Sequence, residues 1–378
     1  MPSLPQPGEI NWGNKLNEFI LTGHNIDGTL KGVMSGVLNV KDFGAKGDGV
    51  TNDAPAFQTM VDSVPTNGRA SVVIPPGTYS IMTPIIVTDK VINWHGCGPQ
   101  VTLLEVATGF LDINVAGLYA GSQYSTIVRG MSLLSKEVAT AGITPTGTMI
   151  TLVGGTGSSL GEWGALFCEL SIRSKAISTH TCRRMFDLTN VGRTIFHTIT
   201  AVGLNGVHDT TPDDPIKKCQ HFLRLNGNTT GAHLFNVQCF ETEYFVEVSG
   251  AGISEGLHVY SCNYVKGDKA IVDLNSTGLA GNTMNIHDNH FSTFTKGIVL
   301  GSSFNVSQSF IRDNLFFIRP DCDPTESYIG IDLTGGRTII TGNTWLNQMG
   351  SGIMADAKGI RINDNIDGQG EQCVVAFN

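Results

Sequence analysis

The chain has 378 residues, enough for one large domain or two of medium size, and its 40% apolar content is ample for a core, which excludes a globally disordered chain. Its formal net charge of −9 is spread along the sequence, and no Lys/Arg cluster interleaves with aromatic residues, so composition speaks against a nucleic-acid partner. Glycine is abundant (46 residues) and charged residues make up only 15%, which reads as many short strands joined by tight turns rather than amphipathic surface helices.

Residues 1–36 read as an arm. Leu16, Phe19 and Ile20 recur at helical spacing and predict one short amphipathic helix, followed by a turn at His24–Gly28. Such a piece cannot bury a core alone, so an adaptor or oligomerisation role against other chains is expected. The sequence Met1-Pro2-Ser3-Leu4-Pro5 carries no charged and apolar leader, and no apolar run is long enough to span a membrane. A protein working outside a cell would then leave by lysis, by assembly into a particle, or by a non-classical route.

Residues 37–100 hold the most informative local pattern. A strand at Val37–Val40 leads into the glycine-punctuated turn Lys41–Val50. Thr51, Asn52 and Asp53 offer helix N-caps before a helix of about three turns through Phe57. A strand over Ser71–Ile74, the turn Pro75-Pro76-Gly77 and a further extended segment follow. The helix is expected to close the open end of a stack and shield strand edges that would otherwise pair with other chains.

The run Asn39-Val40-Lys41-Asp42-Phe43-Gly44-Ala45-Lys46-Gly47-Asp48-Gly49-Val50-Thr51-Asn52-Asp53, the helix with Phe57, and Val73-Ile74-Pro75-Pro76-Gly77-Thr78-Tyr79 together resemble the opening segment of the pectate-lyase superfamily. That segment recurs in glycoside hydrolase family 28-related proteins and in phage tailspikes. The resemblance covers about 45 residues, and it implies the fold far more than any chemistry.

From about 101 to 370 the sequence repeats with drift. Ile286–Phe291, Ile311–Phe316 and Ile340–Trp345 each place an apolar residue three before Asn and five before an aromatic. Val259–Tyr264 and Phe235–Phe240 fit the frame with Cys262 and Gln238 in the Asn slot. Setting Phe240, Tyr264, Phe291, Phe316 and Trp345 in register gives steps of 24, 27, 25 and 29 residues, with Leu170 and Leu204 extending the series upstream in longer steps. Leucine-rich repeats share the period but not the motif. With the resemblance, this predicts an all-β right-handed parallel β-helix over residues 37–378, with 37–100 as cap and first coils. Its aromatics would stack in the core, and its asparagines would bond along the stack.

Eight cysteines without a CxxC pair read as buried free thiols. Asp321 and Asp323 have a calcium-like spacing that no downstream Glu completes, so neither a metal nor a cofactor is predicted.

Hydrolysis of a glycan needs two carboxylates about 5–10 Å apart. If Phe240 points inward, Glu241 and Glu243 face outward together, and Asp213 and Asp214 in the long loop upstream could approach them. These four are the candidate catalytic residues, with His258, His208 and Asp209 as candidate substrate contacts. Of the residues by which family 28 polygalacturonases resemble one another, only the Asp213-Asp214 pair is present, with Arg361-Ile362-Asn363 as a partial echo.

The resemblance, together with an arm similar to N-terminal segments of phage and phage-like tail proteins, implies a homotrimeric tailspike or fibre. It would sit on a virion tail or outside the cell, bind and in some cases depolymerise host cell-surface polysaccharide, and attach through residues 1–36 to a baseplate or tail protein. Two alternatives stay open: a free bacterial polysaccharide hydrolase or lyase of the same superfamily, and a non-catalytic structural or adhesive β-helix.

Overall fold

The computed structural model describes residues 37–118, 124–138, 145–155, 163–176, 179–203, 219–250, 254–274, 283–301, 308–318, 328–333, 337–347, 358–362 and 374–376. The arm 1–36 lies outside these residues. Among them, no helix is long and apolar enough to cross a membrane.

The first turn is built from local polar chemistry. The Asn39 side chain accepts the Lys41 N–H at 3.0 Å and opens a short 3₁₀ turn, Val40–Phe43, which Gly44 closes at φ 101°. Buried Asp53 does not cap the helix it precedes. Its carboxylate instead accepts the Lys46 and Gly47 N–H groups at 2.6 and 3.2 Å, and Asn52 takes the Ala54 N–H at 3.2 Å. The helix Ala54–Ser63 has Pro55 in its first turn, where a missing N–H costs nothing. Ala54, Phe57, Met60 and Val61 recur at i, i+3, i+6 and i+7 and form its buried side. Phe57 seals the stack: its ring meets Tyr79 edge-on at 5.7 Å and lies over Trp94 at 6.3 Å.

Behind this cap the chain winds as a right-handed parallel β-helix. Each coil contributes a strand to three faces in turn, and neighbouring coils pair in parallel register. The first face includes Val91–Gly96, Leu257–Tyr260 and Met284–His287. The second includes Thr102–Val106 and Leu315–Ile318, and the third Arg184–Thr189, Cys219–Asn226 and Thr242–Ser249. Successive coils are offset by 34 residues at His95–Arg129, 37 at Arg183–Gln220, 25 at Gln238–Asn263, 27 at Cys262–Asn289 and 29 at Asn314–Asn343.

The interior is one column of stacked side chains. Phe167 and Phe196 stack at 5.1 Å, Phe222 and Phe245 at 5.4 Å, Phe245 and Tyr264 at 5.3 Å, and Phe316 and Trp345 at 5.6 Å. Each fully buried large apolar side chain contributes about 1.5–3 kcal/mol, so the continuous stack is the main source of cohesion between coils.

Between the first and second faces, each described coil from Gly130 to Gly342 turns through one left-handed residue, among them Thr198, Asn236, Ser261, Asp288 and Asp313. The residue after it points inward. In the later coils that residue is Asn289, Asn314 and Asn343. Asn289 Nδ2 donates to Asn314 Oδ1 at 2.9 Å, and Asn314 Nδ2 to Asn343 Oδ1 at 2.9 Å, while each Oδ1 also accepts the backbone N–H of the preceding coil. The predicted asparagine ladder is therefore present.

One part of the predicted register needs correcting. Tyr264, Phe291, Phe316 and Trp345 are aligned as expected, but Tyr264 pairs with Cys239 rather than Phe240, which is half-exposed on the outside. The Asn slot of that coil is accordingly buried Val237, not Gln238. Left-handed Asn236 completes the corner one residue earlier than the aromatic spacing suggested. Likewise Leu170 pairs with Ile199, and Leu204 lies outside the described residues. Cys168, Cys182, Cys219, Cys239 and Cys262 are buried free thiols, whereas Cys97 is exposed.

Candidate functional site

The third face carries the densest outward polar chemistry of the described residues. Its strands repeat one pattern, polar–apolar–apolar–polar–apolar: Arg184-Met185-Phe186-Asp187-Leu188, His221-Phe222-Leu223-Arg224-Leu225, Tyr244-Phe245-Val246-Glu247-Val248. Parallel register stacks the first polar positions (Arg184, His221, Tyr244, Lys269) and the second ones (Asp187, Arg224, Glu247) into two adjacent outward rows.

Within these rows His221 Nε2 lies 2.8 Å from Glu247 Oε2, and its ring stacks on Tyr244 at 5.0 Å and 12°. Lys269 Nζ sits 5.1 Å from the centre of the Tyr244 ring on its other side. Arg224 reaches Glu247 at 3.4 Å, Ser249 at 3.1 Å and Asp187 at 3.5 Å, while Arg184 holds Asp187 at 3.1 Å. A Nε2–H facing the carboxylate leaves Nδ1 of His221, which has no hydrogen-bond partner among the described residues.

Electrostatics follow from burial. Burial pushes the Glu247 carboxyl up, but the hydrogen bond and charge of His221, with Ser249 and Arg224, outweigh it and hold the group below the usual carboxylate range. The Tyr244 phenol is raised, first by burial and then by the adjacent Glu243 carboxylate, so it stays protonated and can donate. Three coils on, buried Asp332 is gripped by Lys296 at 2.9 Å and by Arg361 at 2.8 Å, which extends the same charged face.

The predicted carboxylates are placed differently from one another. Glu241 is buried at the corner between the second and third faces, at φ 58°, with Lys266 Nζ 3.4 Å away. That left-handed residue breaks strand alternation, so Glu241 and Glu243 do not project from one strand as a pair. Glu243 is half-buried on the third face beside Tyr244. His258 lies on the first face, stacked on His233 at 4.4 Å and 2°, away from Glu243. Burial, then His233 and His287, holds His258 below the ordinary imidazole range. Asp213, Asp214, His208 and Asp209 lie outside the described residues, between a strand that ends on the second face and one that begins the third.

His221, Arg224, Tyr244, Glu247 and Lys269 were not singled out from sequence. The five-residue pattern above was the available signal, and the aromatic frame, which follows the second face, does not expose it. Among the described residues, no group of three or more His, Cys, Asp or Glu could hold a metal ion.

Residues 37–149 match the family described as rhamnogalacturonase A/epimerase, pectate lyase-like. With the coil geometry above, this identifies a pectate-lyase-like β-helix. The chain is similar to mannuronan C5-epimerase AlgE3 of Azotobacter vinelandii (45% identity over 47 residues, 12% of this chain and 3% of the relative). It is also similar to a glucan 1,3-beta-glucosidase of Cochliobolus carbonum (45% over 58 residues, 13% of this chain and 7% of the relative). The matched segments are thus a small part of those relatives. Among solved structures it is similar to ORF18 of Geobacillus virus E2, with 13% identity and a TM-score of 0.49, covering 95% of this chain and 66% of that one.

Proposed function

We propose that the chain binds polysaccharide along its third face, centred on Tyr244, Arg224 and Lys269. The observation that carries this is the convergence, in three successive coils, of a protonated phenol, charged forks and an amine on one outer surface. A saccharide offers closely spaced hydroxyls, and fixed donor–acceptor groups of this kind match them bidentately. His221 and Glu247 are buried and act as positioning residues: their hydrogen bond and the ring stack hold the Tyr244 ring in place, while its hydroxyl bonds the Glu243 side chain.

The names of the relatives, an epimerase acting on mannuronan and a glucosidase acting on glucan, support action on a polysaccharide as well as binding. In that case Glu243 is the accessible carboxylate at the site. Glu241, Asp213 and Asp214 are the candidates for its partner, His258, His208 and Asp209 remain candidate sugar contacts, and residues 1–36 would attach the chain to a phage or phage-like tail.

The test is capture on a panel of polysaccharides followed by a reducing-end and unsaturated-uronate assay. Wild type retains at least one glycan, and Tyr244→Ala with Lys269→Ala loses it by tenfold or more. Unchanged retention by the folded double variant would remove the third face as the site.

A further inference from the structure

The interior corner that opens the third face holds two thiols in contact. Cys182 Sγ lies 3.4 Å from Cys219 Sγ, and the two residues are 5% and 0% exposed. They belong to successive coils. Arg183 O accepts the Gln220 N–H at 2.9 Å and Arg184 pairs with His221, so the same register carried back sets Cys182 beside Cys219. Neighbouring strands stand ~4.8 Å apart, inside the ~4.4–6.8 Å separation of α-carbons that a disulfide spans. The next coil continues the column with Thr242, which shares a hydrogen bond with the Cys239 thiol at 3.5 Å. Among the described residues no other two cysteine sulfurs bond each other. Cys262 bonds the carbonyls of Leu234 and Tyr260 at 3.6 and 3.3 Å, and exposed Cys97 bonds that of Ile74 at 3.7 Å.

We propose that Cys182 and Cys219 are a cross-linking site: with an organic disulfide as oxidant they become one cystine that ties a coil to the next, and they do so while the chain winds up rather than afterwards. The thiolate of one cysteine attacks a sulfur of the oxidant, which forms a mixed disulfide and releases one thiol. The second thiolate then attacks the cysteine sulfur of that mixed disulfide. The Cys182–Cys219 bond forms, the mixed bond breaks and a second thiol leaves. The chain gives up two electrons and two protons, and the oxidant carries both away as two thiols. Surroundings rich in disulfide oxidants are found outside cells. Timing follows from burial. The hydrogen bond with Cys219, and then burial, hold the Cys182 thiol well above the ordinary thiol range, so the closed coil offers little thiolate and no opening for the oxidant. Before the coil closes, both thiols are open to solvent. The bond joins residues 37 positions apart and so closes the turn of the coil that carries Arg184 and Asp187. A ring of that size removes freedom from the unfolded chain and stabilises the folded one.

The test uses the full chain, made by cell-free synthesis with either glutathione disulfide or a reductant present. Synthesis with glutathione disulfide is expected to give, on non-reducing digestion and mass spectrometry, a peptide pair joined through Cys182 and Cys219 and two hydrogens lighter than the reduced pair. The melting midpoint of that product should lie about 3–5 °C above that of the reduced chain. Reduced chain that is already folded, moved into the same glutathione disulfide, should gain the link roughly tenfold or more slowly. Cys97→Ser removes the exposed thiol as a competing partner and should leave the link intact, whereas Cys182→Ser should lose the link and the rise in midpoint together. Should Cys182→Ser fail to fold, the oxidised and reduced wild-type chains decide the matter alone. No linked peptide, links spread evenly over the other cysteines, an unraised midpoint, or equal rates for folded and newly made chains overturns the proposal. Polysaccharide binding enters none of these readouts, so the two proposals stand or fall separately.

Discussion

Replacing Asn314 with Ala is expected to remove the middle of the asparagine ladder and to cost more than any surface change of similar size. Asn314 is 1% exposed, so water cannot take over its bonds. In the wild type its Oδ1 accepts the Asn289 N–H at 3.1 Å and Asn289 Nδ2 at 2.9 Å, and its Nδ2 donates to Ile286 O at 3.0 Å and Asn343 Oδ1 at 2.9 Å. Truncation strands the Asn289 N–H in the interior and weakens the two flanking amides. Each stranded buried group costs about 1–3 kcal/mol, so one or two of them give about 1–6 kcal/mol. Gln238→Ala is the control: it removes a half-exposed bond from Asn263 at 2.9 Å and should cost about 0.5–1.5 kcal/mol. Guanidinium unfolding followed by tryptophan fluorescence and far-UV circular dichroism reads both. A loss below about 1 kcal/mol for Asn314→Ala would show that the ladder is ornamental to stability and would refute the reasoning.

Phe57→Ala, at the fully buried tip of the capping helix, should cost about 3–5 kcal/mol and raise turbidity on warming, because the first coil's edges become available to other chains; a melting curve and turbidity like wild type would contradict the capping role. Glu247 and Asp332 have folded pKa values below their unfolded ones, so the stability they contribute is present above the unfolded carboxylate range of about 4 and is lost as pH falls through the folded values. Asp332→Asn should therefore flatten the acid limb of the stability–pH curve, and an unaltered limb would show that the Lys296 and Arg361 contacts carry no linkage. His233, His258 and His290 are also held low, by burial, so the unfolded chain binds more protons and stability should fall as pH drops below about 6.5; a flat profile between pH 7 and 5.5 would contradict this. On any glycan that is turned over, Glu243→Gln should lower turnover at least a hundredfold while binding falls less than threefold, and equal turnover would remove Glu243 as the reacting acid.

Much of the fold was legible because its determinants are local. The glycine-punctuated turn, the helix through Phe57 with Asn52 among its N-cap candidates, and the spaced Asn residues each carry their own physical reason at a fixed offset. The steps between Tyr264, Phe291, Phe316 and Trp345 were readable because one side chain per coil must fill the same interior position. The frame slipped at Phe240 because a smaller residue, Cys239, fills that position, and a large side chain beside it drew the alignment outward. The candidate site was less legible for two reasons. Glu241 looked like a strand residue, and only its left-handed backbone, set by the corner, takes it off the face of Glu243. His221 and Glu247 are 26 residues apart and become a pair only through the coil offset, which varies too much along this chain to be fixed without coordinates.

The most direct test of polysaccharide binding on the third face is a structure with an oligosaccharide of a retained glycan bound to the full chain. The expected result is a sugar against Arg224, Tyr244 and Lys269, with the Tyr244 hydroxyl within hydrogen-bond distance of a sugar oxygen. A sugar seated on the first or second face, with those three side chains untouched, would contradict it.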